Sequence, residues 1–127
     1  MGGKSDYLEN RILDYVLRDS GPVYAALFTE NPTALDDTAL GTEVTGFDYA
    51  RVQINFALAT GGSTANEDRV DFPIANGGDW GLVTAFAVYD ALTIGNLLYW
   101  GDLTPPKNII DGETASFAVD ALVINED

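Results

Sequence analysis

The start of the chain carries apolar side chains at helical spacing, three to four positions apart. The stripe consists of Leu8, Ile12, Leu13, Tyr15, Val16 and Leu17. Asp6 followed by Glu9 has the spacing of a capping box, so Asp6 is expected to cap a helix. Gly21 and Pro22 then provide a stop, because glycine suits a helix C-terminus and proline cannot continue a helix. The pattern predicts one N-terminal amphipathic α-helix within residues 1–21.

This predicted helix has a broad apolar stripe for an element that rests on one surface only. Two placements are therefore open: the helix packs on the rest of the domain, or it reaches into a neighbouring subunit. In either placement, the exposed part of the helix is a candidate attachment element. The candidate partner-contact residues are Tyr7, Leu8, Arg11, Ile12 and Tyr15.

From residue 22 onward the pattern changes to short apolar runs and period-two alternation, separated by turn-forming residues. Val23–Thr29 is an apolar run of the kind found in a buried strand. Tyr49–Leu58 alternates, which indicates a strand with one buried side. The side expected to be buried consists of Ala50, Val52, Ile54 and Phe56. Further strands are predicted at 69–73, 82–89, 97–103, 107–110 and 113–117.

Two hairpins are predicted in the second half of the chain. One has its turn at Thr93–Asn96, and the other joins 107–110 to 113–117 through Asp111-Gly112. About seven to eight short strands, with no second helical pattern between them, predict a mainly β protein. The expected fold is a single antiparallel β-sandwich, jelly-roll or Ig-like, at residues 22–127, preceded by one N-terminal α-helix. Together these parts are expected to form one compact domain.

Composition changes this picture mainly through charge. The 127 residues include 20 acidic and 6 basic side chains, which gives a formal net charge of −14. Such a surface repels nucleic acid and anionic lipid headgroups, so neither is expected as a partner. No apolar run approaches the ~20 residues that a membrane span needs. The charge favours solubility, basic partners and bound cations.

Candidate chemistry is sparse. The chain has no cysteine and no histidine, which removes thiolate nucleophiles, disulfides, the commonest general base and the commonest metal ligand. No P-loop, dinucleotide fingerprint or nucleophile elbow is present. Paired carboxylates remain, but with 20 acidic residues their proximity carries no specificity. We therefore expect no enzyme activity and no catalytic residues.

Two weaker possibilities concern ligands. Calcium could bind in oxygen-rich loops at Asp36-Asp37, Asn66-Glu67-Asp68 and Asn76–Asp79, although none has the EF-hand spacing and each is also an ordinary solvated turn. No other cofactor is expected. Trp80 and Trp100 could stack on a sugar ring, although tryptophan in a protein of short strands also serves the core.

Several segments, taken in order, resemble a known family. They are YLENRILDYVLR at Tyr7–Arg18, VYAALFTENPT at Val23–Thr33, GTEVTGFDYAR at Gly41–Arg51, VDFP at Val70–Pro73, DWGLVT at Asp79–Thr84, VYDALTIGNLLYWGDL at Val88–Leu103 and DGETASF at Asp111–Phe117. The chain is similar, over nearly its whole length, to small tailed-phage and prophage proteins labelled phage tail fibre protein. It departs from them at Leu92–Gly95, where they tend to have a glycine-rich turn, and at Tyr15, where they often have histidine.

The resemblance implies a structural role in a virion and brings no catalytic residues. The first expectation is a capsid decoration or cement protein bound to the outer head surface, in many copies at symmetry axes. The alternative is a tail- or fibre-associated adaptor or receptor-binding protein, with recognition carried by loops at 30–43 and 61–68. A carbohydrate-binding module is the third. Expected partners are the major capsid protein or tail proteins and further copies of the chain itself, as a homo-oligomer and possibly a trimer. The expected location is the virion, after assembly in the host cytoplasm.

Overall fold

The computed structural model describes residues 3–32 and 41–126. Its helical part consists of α1 (Asp6–Asp14) and a π-helical turn (Tyr15–Asp19) that continues it. The strands within these residues are β1 (Val23–Glu30), β2 (Thr42–Glu43), β3 (Val52–Ile54), β4 (Ser63–Ala65), β5 (Val70–Asp71), β6 (Gly81–Tyr89), β7 (Leu97–Ile109), β8 (Ser116–Phe117) and β9 (Val123–Asn125). No helix in this part of the chain has the length and apolar character that a membrane crossing requires.

The N-terminal helix starts one residue earlier than the capping box predicts. Ser5, and not Asp6, is the N-cap: its backbone is extended and its hydroxyl accepts a hydrogen bond from the amide of Leu8 at 3.2 Å. Asp6 and Glu9 lie in the first turn, where the helix dipole favours negative charge.

The main sheet has the strand order β2-β1-β6-β7, and β3 pairs with β1 on the same edge as β2. All these pairings are antiparallel. β1 and β6 lie in the interior of this sheet, and most of their residues are buried on both of its faces. One face joins the main core, and the other forms a second cluster of Ala26, Phe28, Ala85, Ala87 and Tyr89.

A second layer covers the main-core face of the sheet. It is built from two short antiparallel ribbons, β4–β9 and β5–β8, together with the helix. Leu13 and Leu17 of the helical part are buried in that core. The predicted class, a mainly β protein with antiparallel strands behind one N-terminal helix, is confirmed.

One predicted hairpin is wrong and the other is confirmed. Tyr89 pairs with Leu97 across the predicted turn at Thr93–Asn96. The turn at Asp111-Gly112 exists, because Glu113 N–H bonds to the carbonyl of Ile110 at 2.9 Å, but the strands on either side do not pair with each other. β7 shifts register and pairs with the start of β6 instead, while β8 pairs with β5.

The predicted strand Tyr49–Leu58 is reduced to the three residues of β3. Ile54 and Phe56 are buried as expected, but Ala50 is exposed. The side chain of Arg51, expected on the solvent side, is nearly buried. The reason is that Ala50 and Arg51 precede β3 and lie outside the sheet, so strand alternation does not set the direction of their side chains.

Candidate partner-binding surfaces

The inner side of the helix is fixed to the domain by hydrogen bonds as well as by its leucines. The Asp14 carboxylate accepts from the amide of Ala59 at 2.9 Å, and the Asn10 side chain accepts from the amide of Gly62 at 2.9 Å. Each of these bonds links the helix to the segment just before β4. The helix therefore presents one defined face to solvent.

That exposed face carries most of the residues predicted to contact a partner. Tyr7 is 70% exposed and Tyr15 is 64% exposed, while Leu8 and Arg11 are also exposed. The guanidinium of Arg11 lies 5.9 Å from the centre of the Tyr7 ring, within the range of a cation–π contact. We call Tyr7, Leu8, Arg11 and Tyr15 the helix row. Ile12, the remaining predicted residue, is half-buried and lies outside it.

The charge of Arg11 is compensated differently from that of most other cations. Lys4, Arg18, Arg51 and Arg69 each form an ion pair with a carboxylate. Arg11 has no ion pair with any carboxylate among the described residues, although the chain has 20 acidic side chains. Tyrosine and arginine, with tryptophan, are the residue types enriched at the energetic centres of protein interfaces. The helix row therefore has the composition of a protein-binding surface.

A second surface is organised by a nearly buried ion pair on the other face of the main sheet. Arg51 donates to Glu43 through two parallel hydrogen bonds, Nε to Oε2 and Nη2 to Oε1, both 2.9 Å long. Its guanidinium also lies 3.7 Å from the centre of the Tyr89 ring. The hydrogen bond to Glu43 raises the pKa of Arg51, so the guanidinium stays charged.

Tyr49 completes this polar centre. Its hydroxyl donates to Glu43 Oε2 at 2.7 Å and accepts from the amide of Leu27 at 2.9 Å. Burial, followed by the negative charge of Glu43, raises the pKa of Tyr49 above its ordinary value. Both pKa values lie above the neutral range, so Arg51 and Tyr49 keep their protons near neutral pH and the arrangement serves as a scaffold.

The scaffold supports the loop between β6 and β7, residues 90–96, which we call the 90–96 loop. Arg51 Nη1 donates to the carbonyl oxygens of Ala91 at 2.9 Å and Ile94 at 2.7 Å. The carboxylate of Asp90 accepts from the backbone amide of Asn96 at 2.7 Å and from its side chain at 2.8 Å. These bonds lower the pKa of Asp90. Arg51 thus holds the backbone within the loop, and the bonds between Asp90 and Asn96 join its two ends.

The tip of the 90–96 loop is apolar and strained. Ile94 is 86% exposed and has φ +58°, a left-handed conformation that costs a β-branched residue energy. Leu92 is also exposed. Beside the tip lies a cavity of about 390 Å³, which the loop shares with residues 43–46 and 49–51. Sequence reasoning missed this surface, because Arg51 was assigned to the solvent side of an alternating strand.

The predicted calcium loops have structural uses where they are described. Asn66 is fully buried, and its side chain bonds to the backbone of Asp68, Ala118 and Leu122. Asp79 accepts from the amide of Asp111 at 2.8 Å. Asp36-Asp37 lies outside the described residues. Within residues 3–32 and 41–126, no group of three or more potential ligand side chains is placed to hold a metal ion.

The two tryptophans differ in accessibility. Trp80 is buried and its indole N–H donates to the carbonyl of Phe47 at 3.0 Å, so its ring cannot serve as a platform for a sugar. Trp100 on β7 is partly exposed. Trp80 thus belongs to the core, which is one of the two interpretations that the sequence left open for it.

A family model described as Podophage GP4 fiber I protein gp80 matches residues 3–125, which is nearly the whole chain. A comparison with curated proteins gave no match. The family match agrees with the resemblance to tailed-phage proteins labelled tail fibre protein. It covers both the helix row and the 90–96 loop.

Proposed function

The chain belongs to the family described as Podophage GP4 fiber I protein gp80, and from this premise we propose that it is a non-catalytic, fibre-associated adaptor. Membership of a phage fibre family makes the chain a structural component of a virion. The adaptor would attach to another virion protein through the helix row. The family description favours this assignment over decoration of the outer head surface, which was the first expectation from sequence.

The observation that carries the proposal is the two-sided construction of the helix. Its inner side is fixed by Leu13, Leu17 and Asp14, so the helix does not need a partner to be folded. Its outer side nevertheless exposes two tyrosines and an arginine without an ion pair among the described residues. Aromatic side chains exposed on a fixed element lose little conformational entropy on binding.

The non-catalytic part of the proposal rests on composition. A chain without histidine or cysteine lacks the side chains that most often act as general base or nucleophile. The polar centre around Arg51 has its hydrogen-bonding groups engaged by Glu43, Tyr49 and the 90–96 loop.

The test of attachment uses a phage that lacks the gene and a host that supplies the chain from a plasmid. We expect Tyr7→Ser/Tyr15→Ser to reduce the chain incorporated per purified particle by at least about tenfold, as loss of interface tyrosines does. Val119→Ser, an exposed position outside the helix, is the matched control and should be incorporated normally. Circular dichroism of each purified variant confirms that it is folded.

Two outcomes would contradict the proposal. Normal incorporation of the double tyrosine variant would show that the helix row is not part of the attachment surface. Quantitative mass spectrometry of wild-type particles gives the second outcome: a fibre-associated adaptor is present in a few to tens of copies, whereas a decoration protein is present in hundreds. A copy number in the hundreds would replace the fibre assignment with head decoration.

A further inference from the structure

We propose that the cavity bounded by the π-helical turn and β3 is a binding site for a neutral saccharide. The cavity has a volume of about 570 Å³ and is larger than the cavity beside the 90–96 loop. Its size falls within the roughly 300–1,000 Å³ of small-ligand sites. Its lining includes no residue of the helix row and neither tryptophan, so the inference does not rest on the proposed function.

The lining of this cavity combines planar polar side chains with buried apolar ones. Gln53 and Asn55 come from β3 and the residue after it, and Arg18 comes from the π-helical turn. Their amide and guanidinium groups offer donors and acceptors side by side. A sugar requires both, because each of its hydroxyls donates and accepts hydrogen bonds. The buried apolar residues of the lining are Leu17, Val23, Ile54 and Phe56.

The fold leaves several polar groups of the lining without partners. Neither the Gln53 amide nor the Tyr24 hydroxyl makes a side-chain hydrogen bond within the described residues. Asn55 donates through Nδ2 to Asp68 at 3.2 Å, but its Oδ1 accepts from no residue in this part of the chain. The Tyr24 ring stacks on no other described ring. An unstacked aromatic ring beside exposed amides suits the apolar face and the hydroxyls of a sugar.

Contacts within the chain hold the Arg18 guanidinium at the cavity. Its Nη1 donates to the carbonyl of Phe56 and lies 3.6 Å from a carboxylate oxygen of Glu67. Both contacts engage the same nitrogen, so Nε and Nη2 donate to no described residue. The turn that carries Arg18 is π-helical, a rare conformation that is frequent at functional sites. Arg18 is therefore positioned for a ligand with donors to spare.

Charge favours a neutral ligand over an ionic one. The lining carries one guanidinium, Arg18, and two carboxylates, Asp19 and Glu67, which leaves one net negative charge. Together with the net charge of −14 of the whole chain, this repels a phosphate or carboxylate ligand. A metal ion is not favoured, since residues 3–32 and 41–126 include no group of three or more side chains placed to hold one. Hydrogen bonds and ring contact to a neutral sugar are not opposed by this charge.

The test is an NMR titration of the full isotope-labelled chain with the methyl glycosides of glucose, galactose and mannose. We expect at least one of them to bind with a dissociation constant of about 1 to 10 mM and to shift the backbone amides of the residues that line the cavity. The methyl glycoside of the corresponding uronic acid adds a negative charge. It should bind at least about threefold more weakly at matched pH and ionic strength.

The variant Gln53→Ala/Asn55→Ala removes both exposed amides and should raise the dissociation constant by at least about tenfold. The control Asn108→Ala removes an exposed amide of β7 outside the cavity and should leave binding unchanged. Circular dichroism checks that each variant is folded.

The proposal would be overturned if none of the three glycosides bound at concentrations up to about 50 mM. Shifts located outside the cavity, or tighter binding of the uronic acid, would also overturn it. So would binding that the double variant leaves intact, or that Asn108→Ala weakens equally.

Discussion

At the scale of single residues, Asn66 links parts of the chain that are distant in sequence. It is fully buried, its Nδ2 donates to the carbonyls of Asp68 and Ala118, and its Oδ1 accepts from the amide of Leu122 at 2.9 Å. Its backbone carbonyl accepts from Asp120 as well. The side chain therefore satisfies backbone groups of the C-terminal segment that would otherwise be buried without partners.

We expect Asn66→Leu to lower the free energy of unfolding by about 3 kcal/mol or more, since it leaves several buried backbone groups unpaired. The control is Asn55→Leu, an exposed position with one side-chain bond to Asp68, where the change should stay within about 0.5 kcal/mol. Urea titration followed by tryptophan fluorescence measures both. Equal effects of the two substitutions would show that the buried amide has no special role.

Residue-scale features were also the hardest to predict from sequence. Glu43 and Arg51 are eight positions apart and come together because β2 and β3 pair with the same edge of β1. No local pattern encodes that pairing. The exposure of Tyr7 could be predicted in outline, because Tyr7 lies outside the apolar stripe that contains Leu13 and Leu17. The same stripe includes Tyr15, which is exposed.

At the scale of elements, the helix is part of the same core as the sheet. Leu13 is fully buried, whereas Leu8 on the same helix is exposed. This difference separates the structural side of the helix from the side assigned to partner contact. The contribution of Leu13 to the shared core also determines whether the helix unfolds together with the sheet or before it.

We expect Leu13→Ala to lower the free energy of unfolding of the whole chain by about 3 kcal/mol, because it leaves a cavity in the core. Leu8→Ala is the matched control and should change it by less than about 1 kcal/mol, in keeping with its exposure. Thermal unfolding followed by circular dichroism at helix and sheet wavelengths measures both. A Leu13→Ala chain whose sheet melts at the wild-type temperature would show that the helix is energetically separate.

The strands that sequence predicts best are β1 and β6, whose apolar runs are long and bounded by turn formers. Their neighbours are less predictable. β7 passes Pro105-Pro106 with a shift in register and takes Lys107–Ile109 as the partner of Gly81–Val83, so the expected hairpin at Asp111-Gly112 loses its first strand. Competition between a local turn and a long-range pairing cannot be decided from the local sequence alone.

At the scale of the whole molecule, the net charge of −14 opposes the compact state. The ion pairs of Lys4, Arg18, Arg51 and Arg69 compensate a small part of the 20 acidic groups. Screening by salt should therefore stabilise the fold. We expect the melting temperature to rise as sodium chloride increases from about 0.01 M to 0.3 M, because the screening length falls to less than 10 Å.

Calcium separates general screening from specific binding. At matched ionic strength, a specific site should raise the melting temperature with calcium more than with magnesium, and a chelator should remove the difference. Equal effects of the two ions on the melting temperature would mean that the acidic loops are solvated turns without a specific calcium site. A melting temperature that does not respond to any salt would mean that the acidic groups are already compensated by bound cations or partners.

The left-handed conformation of Ile94 also bears on any effort to make this chain more heat-resistant. A library screened for thermal tolerance alone would be expected to replace Ile94 early, since asparagine or glycine relieves the strain at once. Each such winner would lose the side chain that projects from the 90–96 loop. A second screen that required incorporation into the virion, compared with the first, would separate selection for folding from selection for contact at this position.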